Sequence, residues 1–309
     1  MISSLNALGP IFLVVLVGFL LRRLAFPGES FWPAAERLTY YLLFPALLVN
    51  NLASAHFGEV ALGDVVLMVV LLLVIMTLVL AALRPWVAPT AAAFTSVYQG
   101  GVRFNTYVGL AAAKSLYGDA GLVVAAIAIA IMIPLVNVLC VLIFALYSDR
   151  QGKISWLATF KQMGKNPLIL GCLAGILLNI TGIGLPFWSQ PMLKILGQAA
   201  LPLGLLAVGV ALDLRALRGG MLPLAWSSLI KFVAMPLTAA GLGVLLGAST
   251  LVIQVMVLFA ALPTASSAYI LARQMGGDAP LMAGIITAQT LLAMLTLPVT
   301  LALLNYGLG

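Results

Sequence analysis

The chain has 309 residues, 63% of them hydrophobic and only 7% charged, with a mean hydropathy of +1.19; this excludes a soluble globular domain and points to an integral membrane protein. At about 20 residues per span, ten helices consume roughly 200 residues, so the function must lie within the bilayer. The excess of 15 Lys and Arg over 8 Asp and Glu would suggest nucleic acid in a soluble protein, but these charges fall between apolar runs rather than on one face, and no nucleic-acid partner is expected.

Apolar runs broken by charge, Gly or Pro predict ten spans, at 8–24, 36–54, 64–84, 91–115, 120–147, 166–182, 192–213, 222–246, 251–273 and 279–306. The first ends in Arg22 and Arg23 and lacks the basic start and small-residue cleavage site of a removable signal, so it reads as a span. Connections are short except for 148–165, a basic hinge carrying Asp149, Arg150, Lys153, Lys161 and Lys165. His56, the only His, falls in a short external loop. Cys140 and Cys172 sit inside apolar runs without further ligands, and read as packing residues. Cytoplasmic loops are enriched in Lys and Arg. An outside N-terminus places Arg22, Arg23, Arg37, Arg84, the hinge cations, Arg215, Arg218 and Arg273 on the cytoplasmic side, with both termini outside.

The two halves repeat across the hinge. Pro10, Leu16 and Gly18 match Pro167, Leu173 and Gly175 at an offset of 157, as Phe44-Pro45 matches Leu201-Pro202; Lys114, Gly118 and Asp119 match Arg273, Gly277 and Asp278 at 159. Residues 1–147 and 166–309 then each hold five spans, with 148–165 as a cytoplasmic linker. Because five is odd, the second copy enters the membrane inverted, as in many secondary transporters. Such folds carry their substrate site at mid-membrane, where helices are interrupted. Span four contains Tyr98-Gln99-Gly100-Gly101-Val102-Arg103-Phe104-Asn105-Thr106 at mid-run, and span nine contains Leu262-Pro263-Thr264-Ala265-Ser266-Ser267, where Pro263 removes a backbone donor. Two breaks at one depth would expose amides and helix N-termini that favour an anion; an ordinary Pro or Gly kink is the plainer reading of each alone.

Phe44-Pro45-Ala46-Leu47-Leu48, Asn105-Thr106-Tyr107-Val108-Gly109-Leu110 followed by Lys114 to Gly118, Asn166-Pro167-Leu168, Leu201-Pro202-Leu203-Gly204, Ala261-Leu262-Pro263 and Thr296-Leu297-Pro298 together resemble the auxin efflux carrier family, which includes plant auxin carriers and bacterial carriers of malonate, malate and similar acids. The resemblance runs over nearly the whole chain and rests on the order and spacing of short motifs. It implies an all-α polytopic fold of ten helices in two inverted five-helix repeats, with spans four and nine as broken crossover helices. It further implies a scaffold from spans one, two, six and seven, a mobile transport domain from spans three to five and eight to ten, elevator-type alternating access and a homodimer. Asn105 matches the crossover Asn that helps bind a substrate carboxylate, and Pro263 the crossover Pro of span nine. The family's Pro before that Asn is Phe104 here, and the long hydrophilic central loop of the plant carriers is absent, which fits a bacterial inner-membrane protein.

Arg103 lies about twelve residues into its span, where a charge costs at least ~2.5–3.5 kcal/mol, and no Asp or Glu falls deep within any predicted span. A substrate carboxylate would satisfy the guanidinium in bidentate fashion, so Arg103, Asn105 and Thr106, with Pro263, Thr264 and Ser266 opposite, are expected to recognise a small organic anion such as a dicarboxylate or auxin-like acid; backbone carbonyls at the broken helix are the alternative partner. Asn50, Asn137 and Gln289 are further cavity candidates, each equally readable as a helix–helix hydrogen bond. Asp119 and Asp278 follow Gly and read as N-caps. Lys231 is either a snorkelling or structural cation or a coupling residue. The coupling ion stays open among a proton, sodium held by crossover carbonyls and hydroxyls, and none; a sodium-coupled symporter of the bile-acid type is the alternative carrier. With one His and no intramembrane acid cluster, neither catalysis, a metal site nor a cofactor is expected.

Overall fold

The computed structural model describes residues 2–55, 62–147, 161, 164–218 and 220–308; His56 and most of the basic linker, including Asp149, Arg150 and Lys153, lie outside the described residues. Among the described residues the fold is helical throughout, with no strand. The helices are α1 (Ile2–Arg23), α2 (Phe31–Leu38), α3 (Phe44–Ala53), α4 (Leu62–Val87), α5 (Ala91–Val102), α6 (Thr106–Tyr147), α7 (Pro167–Ile180), α8 (Ser189–Val210), α9 (Met221–Leu229), α10 (Met235–Leu245), α11 (Thr250–Ala260), α12 (Ser267–Met275) and α13 (Ala279–Leu308). Among them six stretches are long and apolar enough to cross a membrane: Leu5–Arg23, Leu62–Val87, Ala91–Tyr147, Ser189–Val210, Met221–Leu245 and Ala279–Gly307. Their outer faces carry side chains such as Leu13 and Leu78, 62% and 65% exposed. Lipid tails solvate such apolar surface, whereas water would not.

Two joints between helices are π turns rather than breaks. Thr39–Leu43 links α2 to α3, with Phe44 N–H reaching Thr39 O, and Ile230–Ala234 links α9 to α10, with Met235 N–H reaching Ile230 O. In each, a Pro follows at once, Pro45 and Pro236. Its missing N–H and its ring disrupt the local ladder, and the helix accommodates it by widening one turn. The run expected at 36–54 therefore starts earlier, at Phe31, because α2 buries Trp32 and Ala35 while leaving Glu36 and Arg37 exposed. The run Thr106–Tyr147 is two helices meeting at a kink at Gly118, between the spans expected at 91–115 and 120–147; its φ of 63° and ψ of −148° are non-helical, and only glycine takes them without strain. Asp119 does not cap there; it pairs with Lys114 across the bend. Asp278 does cap, its Oδ1 accepting from Leu281 N–H at 3.0 Å.

Packing sorts the helices into two sets. α3 lies along both α7 and α8, and α1 along α8. Small residues allow the close approach: a Cβ on Gly171 would stand 3.0 Å from Pro45 Cα, and one on Gly175 3.2 Å from Val49 Cα, the small-xxx-small pattern of membrane helix pairs. On the other side α4, α6 and α11 pack together, α10 lies on α11, and α5 is enclosed by α6, α9 and α13. α6 runs along the seam between the sets, where Phe44 and Tyr107 stack with ring centroids 4.9 Å apart.

Candidate functional site

The site begins where α5 stops. Gly100 and Gly101 weaken the last turn, Arg103 adopts an extended conformation (φ −75°, ψ 155°), and Asn105 restarts the helix by accepting from the N–H groups of Tyr107 and Val108 at 3.1 and 3.2 Å. A second interruption separates α11 from α12 over residues 261–266, where the residue before Pro263 is pushed out of helical geometry. The two interruptions touch. Asn105 N–H donates to the carbonyl of Pro263 at 2.8 Å, so each break satisfies a backbone group left open by the other.

Behind this crossing lies a buried polar brace. Gln289 of α13 accepts from Thr264 N–H at 3.0 Å and donates to Gly100 O and Ser227 Oγ, both at 3.1 Å. Thr264 Oγ1 donates to Gln99 O at 3.4 Å. All four side chains, Gln99, Ser227, Thr264 and Gln289, are fully buried. They hold the two breaks at a fixed separation. Ser96 and Asp278 N–H add a second tie between α5 and the start of α13, through Asp278 O and Ala92 O at 2.9 and 3.2 Å.

In front of the crossing is a cavity of about 640 Å³, lined by Arg103, Asn105, Thr106, Asn137 and Ser266 among others; small-molecule sites fall in this size range. Arg103 is half-buried, and its guanidinium donates to Asn137 Oδ1 at 3.1 Å and Ser267 Oγ at 3.2 Å. Both partners are neutral. Among the described residues the one ion pair is Lys114 with Asp119, so no described carboxylate lies within ion-pair distance of Arg103, although Glu36 lines the same cavity. A guanidinium offers five donors, and these two bonds leave others for a guest. Among the described residues these side chains from α6 and α12, rather than backbone carbonyls, are the hydrogen-bond partners of the guanidinium.

Of the other sequence candidates, Pro263, Thr264 and Gln289 support the crossing without lining the cavity, Pro263 through its carbonyl. Asn50 is in α3, away from the cavity lining, with its Oδ1 unpartnered among the described residues. Lys231 also stands apart. It is fully buried rather than snorkelling, and its Nζ has no partner among the described residues. Sequence reasoning passed over Glu36, Arg37, Tyr40 and Tyr41, which line the cavity from the α2 side. The signal was present: spacings of four place Glu36 with Tyr40 and Arg37 with Tyr41 on one helical face.

A family model described as membrane transport protein matches residues 3–301. An "Uncharacterized transporter" of Methanothermobacter thermautotrophicus is 25% identical over 298 residues, covering 93% of this chain and 94% of that protein. A "Putative malonate transporter" of Rhizobium meliloti is 28% identical over 162 residues, 52% of this chain and 50% of that protein.

Proposed function

This chain belongs to the auxin efflux carrier family of membrane transport proteins, and from that premise we propose that it is a secondary carrier for a small organic anion, recognised through its carboxylate by Arg103. The observation that carries the reading is a half-buried guanidinium in a 640 Å³ cavity with only neutral partners among the described residues. A carboxylate would complete its hydrogen bonding and cancel its charge together. Asn105, Thr106 and Ser266 line the same space, and Asn137 positions the guanidinium. Glu36 and Arg37 also line the cavity, on its α2 side. The relative whose name mentions malonate supports a dicarboxylate as the first substrate to try.

The transport cycle we propose is an elevator. The chain would cross the membrane ten times as two inverted repeats, with α5–α6 and α11–α12 as the crossing pair. α1, α2–α3, α7 and α8 would form a fixed scaffold, and α4–α6 with α9–α13 a moving domain that carries Arg103. The two packing sets support this, as does the cavity's position between them: Tyr40 and Asn166 line it from one set, Arg103 and Ser266 from the other. With both termini outside by charge bias, the cavity opens beside Arg37 and Asn166, on the cytoplasmic side. We read the protein as a homodimeric carrier of a bacterial inner membrane and not as an enzyme. For the sodium-coupled alternative, Arg103 donating to Ser267 at 3.2 Å weighs against a cation using that hydroxyl.

Counterflow in proteoliposomes tests the assignment. Wild type preloaded with malonate, malate or indole-3-acetate should accumulate trace label of at least one of them, and Arg103→Gln should abolish this while keeping the wild-type unfolding temperature. Unaltered uptake by the variant would refute the role of Arg103.

A further inference from the structure

The proposed cycle gives no task to the one fully buried lysine among the described residues. Lys231 stands in the π turn Ile230–Ala234, fully buried, with no hydrogen-bond partner for Nζ among the described residues. That turn packs against α5 and α13, the helices that carry the brace behind Arg103. Ile230 comes within 3.2 Å of where a Cβ on Gly101 would lie, and Ser227, four residues before Lys231, bonds Gln289 at 3.1 Å. Lys231 therefore belongs to the interior of the proposed moving domain, near the depth of the breaks, and not to a lipid face. Two neighbours in sequence or packing share its condition: both amide atoms of Gln99 and the hydroxyl of Ser228 are buried without partners among the described residues. A π turn puts one extra residue into the helix and re-aims side chains, a device concentrated at functional sites.

No architectural need explains a lysine here. At the repeat offsets of 157 to 159, the corresponding residues of the first half are Val74, Leu73 and Leu72, all apolar. Among the described residues no ion pair includes it either. α5 contributes one titratable side chain, Tyr98, whose hydroxyl is bonded to Thr77 at 2.8 Å, and Arg103 just beyond it is held by Asn137 and Ser267. α9 and α10 carry none, and α13 only Tyr306, 90% exposed at its far end. A buried ammonium without a counter-charge is strongly disfavoured by desolvation, whereas a neutral amine is tolerated. An anion entering the Arg103 cavity changes that balance, since charges attract over longer distances where water is scarce.

We propose that Lys231 is the proton-binding coupling residue of this carrier, protonated when the substrate anion is bound and deprotonated when the site empties. The inference rests on the carrier reading. One proton enters Nζ from the side on which substrate loads, travels as ammonium with the anion, and leaves on the side of release; nothing is oxidised or reduced. A monoanion then moves without net charge, and the Gln99 amide and Ser228 hydroxyl supply waypoints for proton access.

The test uses the full protein in proteoliposomes, with malonate and indole-3-acetate as probes. Wild type should accumulate a probe monoanion about tenfold per unit of pH gradient, and should take up close to one proton per ligand bound, read with a pH dye in weakly buffered detergent solution. Lys231→Met should lose gradient-driven accumulation, to a ratio near one, while keeping counterflow. Gradient-driven accumulation unchanged in Lys231→Met overturns the proposal, and so does wild-type binding without proton uptake, which needs no variant and stands even if Lys231→Met fails to fold. Absence of wild-type counterflow for every probe would instead defeat the carrier reading beneath it.

Discussion

Gln289 offers the sharpest quantitative test of the brace behind the cavity. Replacing it by Leu keeps the volume roughly constant but deletes three hydrogen bonds, from Thr264 N–H at 3.0 Å and to Gly100 O and Ser227 Oγ at 3.1 Å. Side-chain hydrogen bonds in membrane proteins contribute on average ~0.6 kcal/mol and at most ~1.7 each. Three of them sum to roughly 2–5 kcal/mol, the upper part applying because the Thr264 N–H, at a fully buried residue, would be left unpaired. Equilibrium unfolding in bicelles by increasing SDS measures it directly. Thr290→Val is the control: Thr290 is equally buried one residue away, but its Oγ1 bonds only within its own helix, to Ile286 O at 2.8 Å, so about 1 kcal/mol or less is expected. Transport should fall with Gln289→Leu beyond what stability explains, because the separation of the two breaks is no longer held. A loss below about 0.5 kcal/mol with full transport would refute the brace, for it would mean the crossing is positioned by backbone packing alone.

Two other substitutions probe neighbouring links. Asn105→Ala removes the acceptor for Tyr107 and Val108 N–H and should cost about 1 kcal/mol, whereas Asn105→Asp keeps the cap and should stay near wild-type stability in the same SDS assay while weakening carboxylate binding by repulsion. Gly209→Val would drive a side chain into the backbone of α1 at Val15 and Phe19; overpacking of this kind costs at least 1–3 kcal/mol, and the yield of monodisperse protein in detergent should drop sharply. Together with the counterflow and proton-coupling experiments on Arg103 and Lys231, these separate stability, recognition and coupling.

The apolar runs and the paired interruptions near residues 103 and 263 could be read from the chain because hydropathy and Pro/Gly chemistry act locally. The cavity's far wall could not. Glu36 and Tyr40 stand at the start of the span expected at 36–54, and only the packing of α2 on α8 brings them to the wall of the cavity that Arg103 shares. Lys231 shows the same limit from the opposite direction: its depth along the helix was apparent, but a lysine nine residues into a span has a stem long enough to reach the interface. Whether it does so depends on what surrounds it, and here α5 and α13 enclose it.

What the sequence determined by itself was membrane residence, helicity and the place of a cation, Arg103, inside an apolar run, since lipid favours apolar helices and makes a charge within them conspicuous. What the tertiary structure decided was who meets whom: Asn105 with Pro263, Gln289 with both breaks, Arg103 with Asn137 and Ser267. Those partnerships join residues between 25 and 189 positions apart. A chain whose spans are almost uniformly apolar carries little pattern to say which faces will adjoin, so packing of small and large side chains chooses.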